Sequence, residues 1–114
     1  MREILFRGKR LDNGDWVYGY YVHIGPVSCQ RAYIIPEYAS SLYVNEVYPS
    51  TVGQYTGLND KHGKRIFENG YMIIDKQTYK VLFDNGEYIL KNIFNCDTIQ
   101  LKNNSNIGVF VDEI

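Results

Sequence analysis

A chain of 114 residues has room for a single hydrophobic core or two very small ones. Twelve basic against 13 acidic residues leave a net charge of −1, which excludes the basic footprint of a nucleic-acid binder at the level of the whole chain. With 45% hydrophobic and 22% charged residues and no apolar run of membrane-spanning length, the composition is that of a globular domain.

The first element predicted is a strand over 3–9 built on Ile4, Leu5 and Phe6. Leu11-Asp12-Asn13-Gly14-Asp15-Trp16 follows, and Asn-Gly tolerates the positive φ of a tight hairpin turn. The return strand is Trp16 to Ile24, rich in aromatic and β-branched residues. A two-residue turn sets Leu11 opposite Trp16 and Phe6 opposite Tyr21. Arg31 to Ile35 reads as a strand stopped by Pro36, which has no N–H to pair. Glu37 to Ser41 reads as a turn or short helix, and Leu42 to Tyr48 leans toward strand. Pro49-Ser50 marks a seam.

Beyond the seam, Thr51 to Tyr55 is predicted as a strand, Gly57 to Gly63 as a loop and Tyr71 to Ile74 as a strand. Phe83-Asp84-Asn85-Gly86-Glu87-Tyr88 repeats the Asn-Gly device. A two-residue turn pairs Phe83 with Tyr88, Leu82 with Ile89 and Val81 with Leu90. Apolar residues on both faces place this hairpin centrally in a sheet. A three-residue loop would relieve the repulsion of Asp84 by Glu87, and both alternatives stand. Cys96 to Leu101 reads as a strand, Lys102 to Asn106 as an exposed turn and Ile107 to Val111 as a closing strand. No amphipathic helix of several turns is present. The pattern predicts an all-β protein, a barrel or a sandwich.

Aromatic residues make up 15% of the chain, with 11 Tyr against 5 Phe and 1 Trp. Tyrosine packs its ring while its hydroxyl stays wet, which suits sheets and partner interfaces alike. Local basic clusters lie at Arg2, Arg7, Lys9 and Arg10, and at Lys61, His62, Lys64 and Arg65. Cys29 and Cys96 match no metal spacing and read as buried, inert thiols of a cytoplasmic protein. The charged Met1-Arg2-Glu3 opening is unlike an apolar signal segment. Asp60 beside His62 suggests a base, but no nucleophile accompanies the pair. The chain is therefore expected to be non-enzymatic, without metal or cofactor.

The sequence resembles the YopX-like proteins of phages and prophages at three places. Arg2-Glu3-Ile4-Leu5-Phe6-Arg7-Gly8 with Trp16-Val17-Tyr18-Gly19 is similar to the family's opening hairpin. Thr51-Val52-Gly53-Gln54-Tyr55-Thr56-Gly57-Leu58 with Asp60, Gly63 and Ile66-Phe67-Glu68 resembles its central signature. Asn106-Ile107-Gly108-Val109-Phe110 resembles its last strand. The resemblance implies an SH3-type small β-barrel in the second half and residence in a phage, prophage or other mobile element. The family commonly continues Glu-Gly-Asp where this chain has Glu68-Asn69-Gly70-Tyr71. The glycine stands one place later and the acid is missing. Asn also tolerates a left-handed turn, so the fold is expected to survive.

The expected organisation is an N-terminal β-hairpin subdomain over 1–50 and an SH3-like barrel over 51–114, packed as one compact unit. The signature segment reads chiefly as architecture, with Thr56 and Asp60 capping turn N–H groups and Tyr55, Leu58, Ile66 and Phe67 plugging a barrel end. Candidate binding residues are Tyr18, Tyr20 and Tyr55 on strands and Asp60, Lys61, His62, Lys64 and Arg65 in the loop. The expected partner is a protein or a second copy of the chain, with no membrane. The alternative is nucleic acid, with Arg7, Lys9, Arg10, Lys61, Lys64 and Arg65 on phosphate and Tyr20 or Tyr55 stacking on bases.

Overall fold

The computed structural model describes residues 4–25, 31–36 and 44–113. Expectations for Arg2, Glu3, Cys29, Leu42 and the turn at 37–41 lie outside these residues. Every strand belongs to one of two antiparallel sheets, so the protein is all-β. No helix among the described residues is long and apolar enough to cross a membrane. The chain divides into two compact units, Met1–Tyr55 and Thr56–Ile114.

The first unit contains β1 (Phe6–Lys9), β2 (Trp16–Ile24), β3 (Arg31–Pro36), β4 (Asn45–Val47) and the start of β5 (Gly53–Asn59), in the spatial order β4-β3-β2-β1-β5. The β1–β2 register differs from the expected one. Phe6 faces Gly19 and Lys9 faces Trp16, so the turn is longer than two residues. Arg10 N–H donates to Asp15 O at 2.9 Å, which closes a loop over Leu11, Asp12, Asn13 and Gly14. Two local contacts favour it: Asn13 Oδ1 accepts the Asp15 N–H at 2.9 Å, and Arg10 bridges Asp12 at 2.7 Å. Neighbouring backbone reinforces it, because Leu11 N–H donates to Glu46 O at 3.1 Å and Arg10 forms a bridge to Val47. A slip of two keeps every side chain on its face.

Pro36 is the last residue of β3, still opposite Gly19, and does not stand outside the strand. Strand β4 hydrogen-bonds both β3 and the end of β1, where Tyr48 N–H donates to Lys9 O at 2.9 Å. The enclosed core is Ala32, Ile34 and Val47, with Phe6, Val17 and Val52 against it. Thr51 belongs to a single 3-10 turn, Pro49–Thr51, and not to the strand. Its hydroxyl accepts the Lys9 N–H at 2.9 Å and donates to Tyr48 O at 2.6 Å.

The second unit contains the end of β5, then β6 (Arg65–Phe67), β7 (Tyr71–Ile74), β8 (Gln77–Asp84), β9 (Glu87–Asn92), β10 (Thr98–Gln100) and β11 (Val109–Val111). Strand β6 neighbours β5 at the end of the six-stranded sheet, and the other five strands form a sheet of order β10-β9-β8-β7-β11. Among the described residues the strand order does not close, with β10 and β11 as its ends. Hairpin β8–β9 is central and takes the two-residue turn: Asn85 (φ 49°) and Gly86 (φ 80°) are both left-handed. Phe83 faces Tyr88, and their rings meet edge-on at 4.9 Å.

The β7–β8 turn is of the same kind but is made by Asp75 (φ 50°) and Lys76 (φ 66°), with Ile74 opposite Gln77. Met72, Ile74, Val81, Leu90 and Phe110 are buried on the sheet's inner face. Strand β10 is shorter than expected because Cys96, at φ 64°, belongs to the preceding turn. Its thiol is free and exposed, which corrects the expectation of a buried one. The stretch 102–106 is a turn as expected, except that Ser105 is buried at the start of a 3-10 turn, Ser105–Ile107. Ile107 thereby leaves the last strand, which begins at Val109.

Candidate functional site

Strand β5 runs on through Gly57 to Asn59, so the expected loop from Gly57 shrinks to a turn over 60–64 before β6. Gly57 (φ 88°) and Gly63 (φ 80°) supply the left-handed positions. A side chain at either would meet nothing within 4 Å, so conformation and not space excludes other residues there. Thr56 Oγ donates to Ile66 O at 2.8 Å and accepts the Leu58 N–H at 3.3 Å.

Asp60 organises the rest. Its N–H donates to Lys64 O at 2.8 Å, and its own carbonyl accepts the Gly63 N–H at 3.0 Å. Oδ1 accepts the main-chain N–H groups of His62 and Lys64, both at 2.9 Å. Oδ2 accepts the N–H of Phe110 at 2.8 Å, which ties the turn to β11. Lys61 N–H donates to Gly108 O at 3.1 Å and adds a second tie. The residue is only 6% exposed. Burial pushes its carboxyl up, but the N–H donors of Phe110, Lys64 and His62, with the His62 charge, outweigh this and hold it below the ordinary value.

Both carboxylate oxygens are thus committed to backbone. His62 meets Asp60 through its main-chain N–H, so the residues do not form the ring–carboxylate couple of a general base. Lys61, His62 and Lys64 on the turn and Arg65 at the start of β6 are all exposed. Lys64 Nζ stands 3.9 Å from Asp112 Oδ2 and 5.5 Å from the Phe110 ring centre. The turn is a rigid mount for a basic fringe.

The tyrosine candidates belong to the first unit. Tyr18 is half-buried opposite Arg7, and Tyr20 is 56% exposed opposite Ile35. Tyr55 is 7% exposed, and its N–H donates to Leu5 O at 2.7 Å. Its ring therefore has no open face for a base to stack on. Arg7 is also withdrawn from solvent at 1% exposed, its guanidinium carbon 3.9 Å from the centre of the Trp16 ring. That burial withdraws Arg7 from the phosphate contact expected of it. Lys9 and Arg10 are partly exposed.

Two features escaped the sequence reading. Asn92 is buried and builds the turn after β9: Oδ1 accepts the N–H groups of Phe94 (2.9 Å) and Asn95 (3.2 Å), and Nδ2 donates to Gln77 Oε1 at 2.9 Å. A groove of about 350 Å³ lies beside it, lined by Lys80, Leu82, Lys91, Ile93 and Cys96. The alternation of Lys80, Leu82 and Asp84 along β8 was the available signal. Among the described residues no group of three or more His, Cys, Asp or Glu could hold a metal ion.

Two antiparallel sheets, with a glycine-flanked, carboxylate-pinned turn between β5 and β6, define a small all-β protein. The profile of the family described as YopX protein matches residues 5–111, and the chain belongs to that family. No curated protein sequence matches the chain. Position 69, where the resemblance led to the expectation of glycine, is left-handed: Asn69 takes φ 71°, and Gly70 does not take a positive φ.

Proposed function

We propose that this YopX-family chain is a non-enzymatic accessory protein of a phage, prophage or other mobile element, which acts in the bacterial cytoplasm by binding a protein. The observation that carries the reading is the outer ladder of β2 and β3. Tyr20 faces Ile35, Val22 faces Tyr33 and Ile24 faces Arg31 on one side of the ribbon. Tyr20 is 56% and Ile24 54% exposed. Apolar rings and branched side chains gathered on a solvated ribbon suit a protein interface better than a lone domain surface. A photo-crosslinking amino acid at Tyr20, with Lys76 as the control site, tests this in host cells. A crosslinked protein at position 20 and none at 76 supports it; no adduct at 20 refutes it.

The proposed architecture of the second unit is an SH3-type small barrel. In its support, four strands follow one another in the sheet, and the fifth returns to the first after a 3-10 turn. The runner-up function, nucleic-acid binding, draws on the exposed Lys61, Lys64 and Arg65. Gel shifts against a salt series test it, since phosphate contacts weaken steeply as salt rises. No shift at low salt ends that reading.

A further inference from the structure

The β8–β9 hairpin carries an ordered charge pattern on the outer face of its sheet. Directly opposed residues share a face, and that face alternates with the inner one holding buried Val81 and Leu90. Its rungs, from the turn inward, are Asp84·Glu87, Leu82·Ile89 and Lys80·Lys91. Each charged rung sets two like charges side by side, an arrangement that weakens an isolated sheet. None of the four charges joins an ion pair among the described residues. Leu82 and Ile89 stay half-buried although the hairpin is the centre of its sheet.

We infer that this face docks a second copy of the same face, forming a two-fold dimer. Rungs on one face are about 7 Å apart, so the acidic and lysine rungs lie about 14 Å apart with the apolar rung midway. Two dyads in the interface plane could relate facing copies. The dyad along the strands sets Asp84 and Glu87 over their own copies, which repel. The dyad along the rungs, through Leu82·Ile89, reverses strand direction. It lays the acidic rung of each copy over the lysine rung of the other and apolar rung on apolar rung. The pattern is therefore self-complementary for that axis only, as an isologous interface requires. The groove beside Lys80 and Lys91 receives the partner's Asp84–Glu87 turn. Tyr71 and Ile73 on β7 and Thr98 and Gln100 on β10 share this face and widen it. This surface is separate from the β2–β3 ladder, and either assignment can fail without the other.

Light scattering and sedimentation over a concentration series of the full chain test the dimer. The parent is expected to associate with rising concentration, and added salt to weaken it. Lys80→Glu with Lys91→Glu makes the face wholly acidic, and Asp84→Lys with Glu87→Lys makes it wholly basic. Each double variant is expected to lose association by about tenfold or more, while an equimolar mixture regains it as a heterodimer. A parent that stays monomeric to about 1 mM overturns the inference. So does a folded variant that associates like the parent, or a mixture of folded variants that stays apart. If a variant does not fold, concentration-dependent amide shifts in the parent decide: changes centred on residues 80–91 support the dimer, and changes elsewhere or none refute it. A lysine rung that serves nucleic acid instead gives a monomer alone and a complex only with added oligonucleotide.

Discussion

Replacing Asp60 by Asn removes the charge and keeps the shape. The carboxylate accepts three main-chain N–H groups at 2.8–2.9 Å while almost fully buried. An amide turned to serve His62 and Lys64 through its oxygen must point its NH₂ at the N–H of Phe110. That leaves a buried donor facing a donor and costs about 2 kcal/mol. The two surviving bonds lose their charge assistance, about 0.5 kcal/mol each, and relief of the buried charge returns part of this. The net loss is about 2–3 kcal/mol. Trp16 belongs to the first unit, so its fluorescence is the wrong probe. Hydrogen exchange of the Phe110, Lys64 and His62 amides reads the change directly. The folded carboxyl titrates below its unfolded value, so its contribution is complete above about pH 4 and fades as pH falls through the folded value. The gap between parent and Asp60→Asn is therefore flat at neutral pH and closes in acid. A gap below about 0.5 kcal/mol at pH 7, or one that widens in acid, refutes this account of the turn.

A methyl group at Gly19 would collide with the backbone carbonyl of Ile35 across the β2–β3 pair, so Gly19→Ala is expected to melt the first unit well below the parent in circular dichroism. Lys76 holds φ 66° without benefit of its side chain, so Lys76→Gly is expected to raise stability by about 1 kcal/mol in urea titration. Trp16 is half-buried against the Arg7 guanidinium, so Trp16→Ala is expected to cost about 2 kcal/mol, seen by circular dichroism.

Strand content was readable because alternation and Asn-Gly chemistry act locally. Phe83-Asp84-Asn85-Gly86 left a two-residue and a three-residue turn open, and the structure takes the two-residue one, with Asp84 opposite Glu87. Leu11-Asp12-Asn13-Gly14 does not take a two-residue turn, although it contains the same dipeptide. There the Glu46 carbonyl and the Val47 bridge pull on Leu11 and Arg10 from β4, and the longer loop satisfies them. The β7–β8 turn was invisible for the opposite reason. Asp75 favours a turn but Lys76 does not, since lysine rarely adopts positive φ, and the pairing of Met72 and Ile73 with Tyr79 and Thr78 holds it there.

At the candidate site, the residue types disclosed the chemistry but not its reach. A short acid between glycines announces that turn N–H groups will be capped, and Asp60 does cap His62 and Lys64. Its third partner, Phe110, lies fifty positions along the chain, and no local pattern announces it. That bond changes the meaning of the segment. A carboxylate satisfied within its own turn keeps lone pairs for a ligand, whereas one that also anchors β11 is consumed by the fold. The same reasoning covers position 69, where the dihedral and not the glycine is the requirement, and asparagine meets it. The inward-facing residues of this segment therefore hold its shape, while Lys61, His62, Lys64 and Arg65 are exposed.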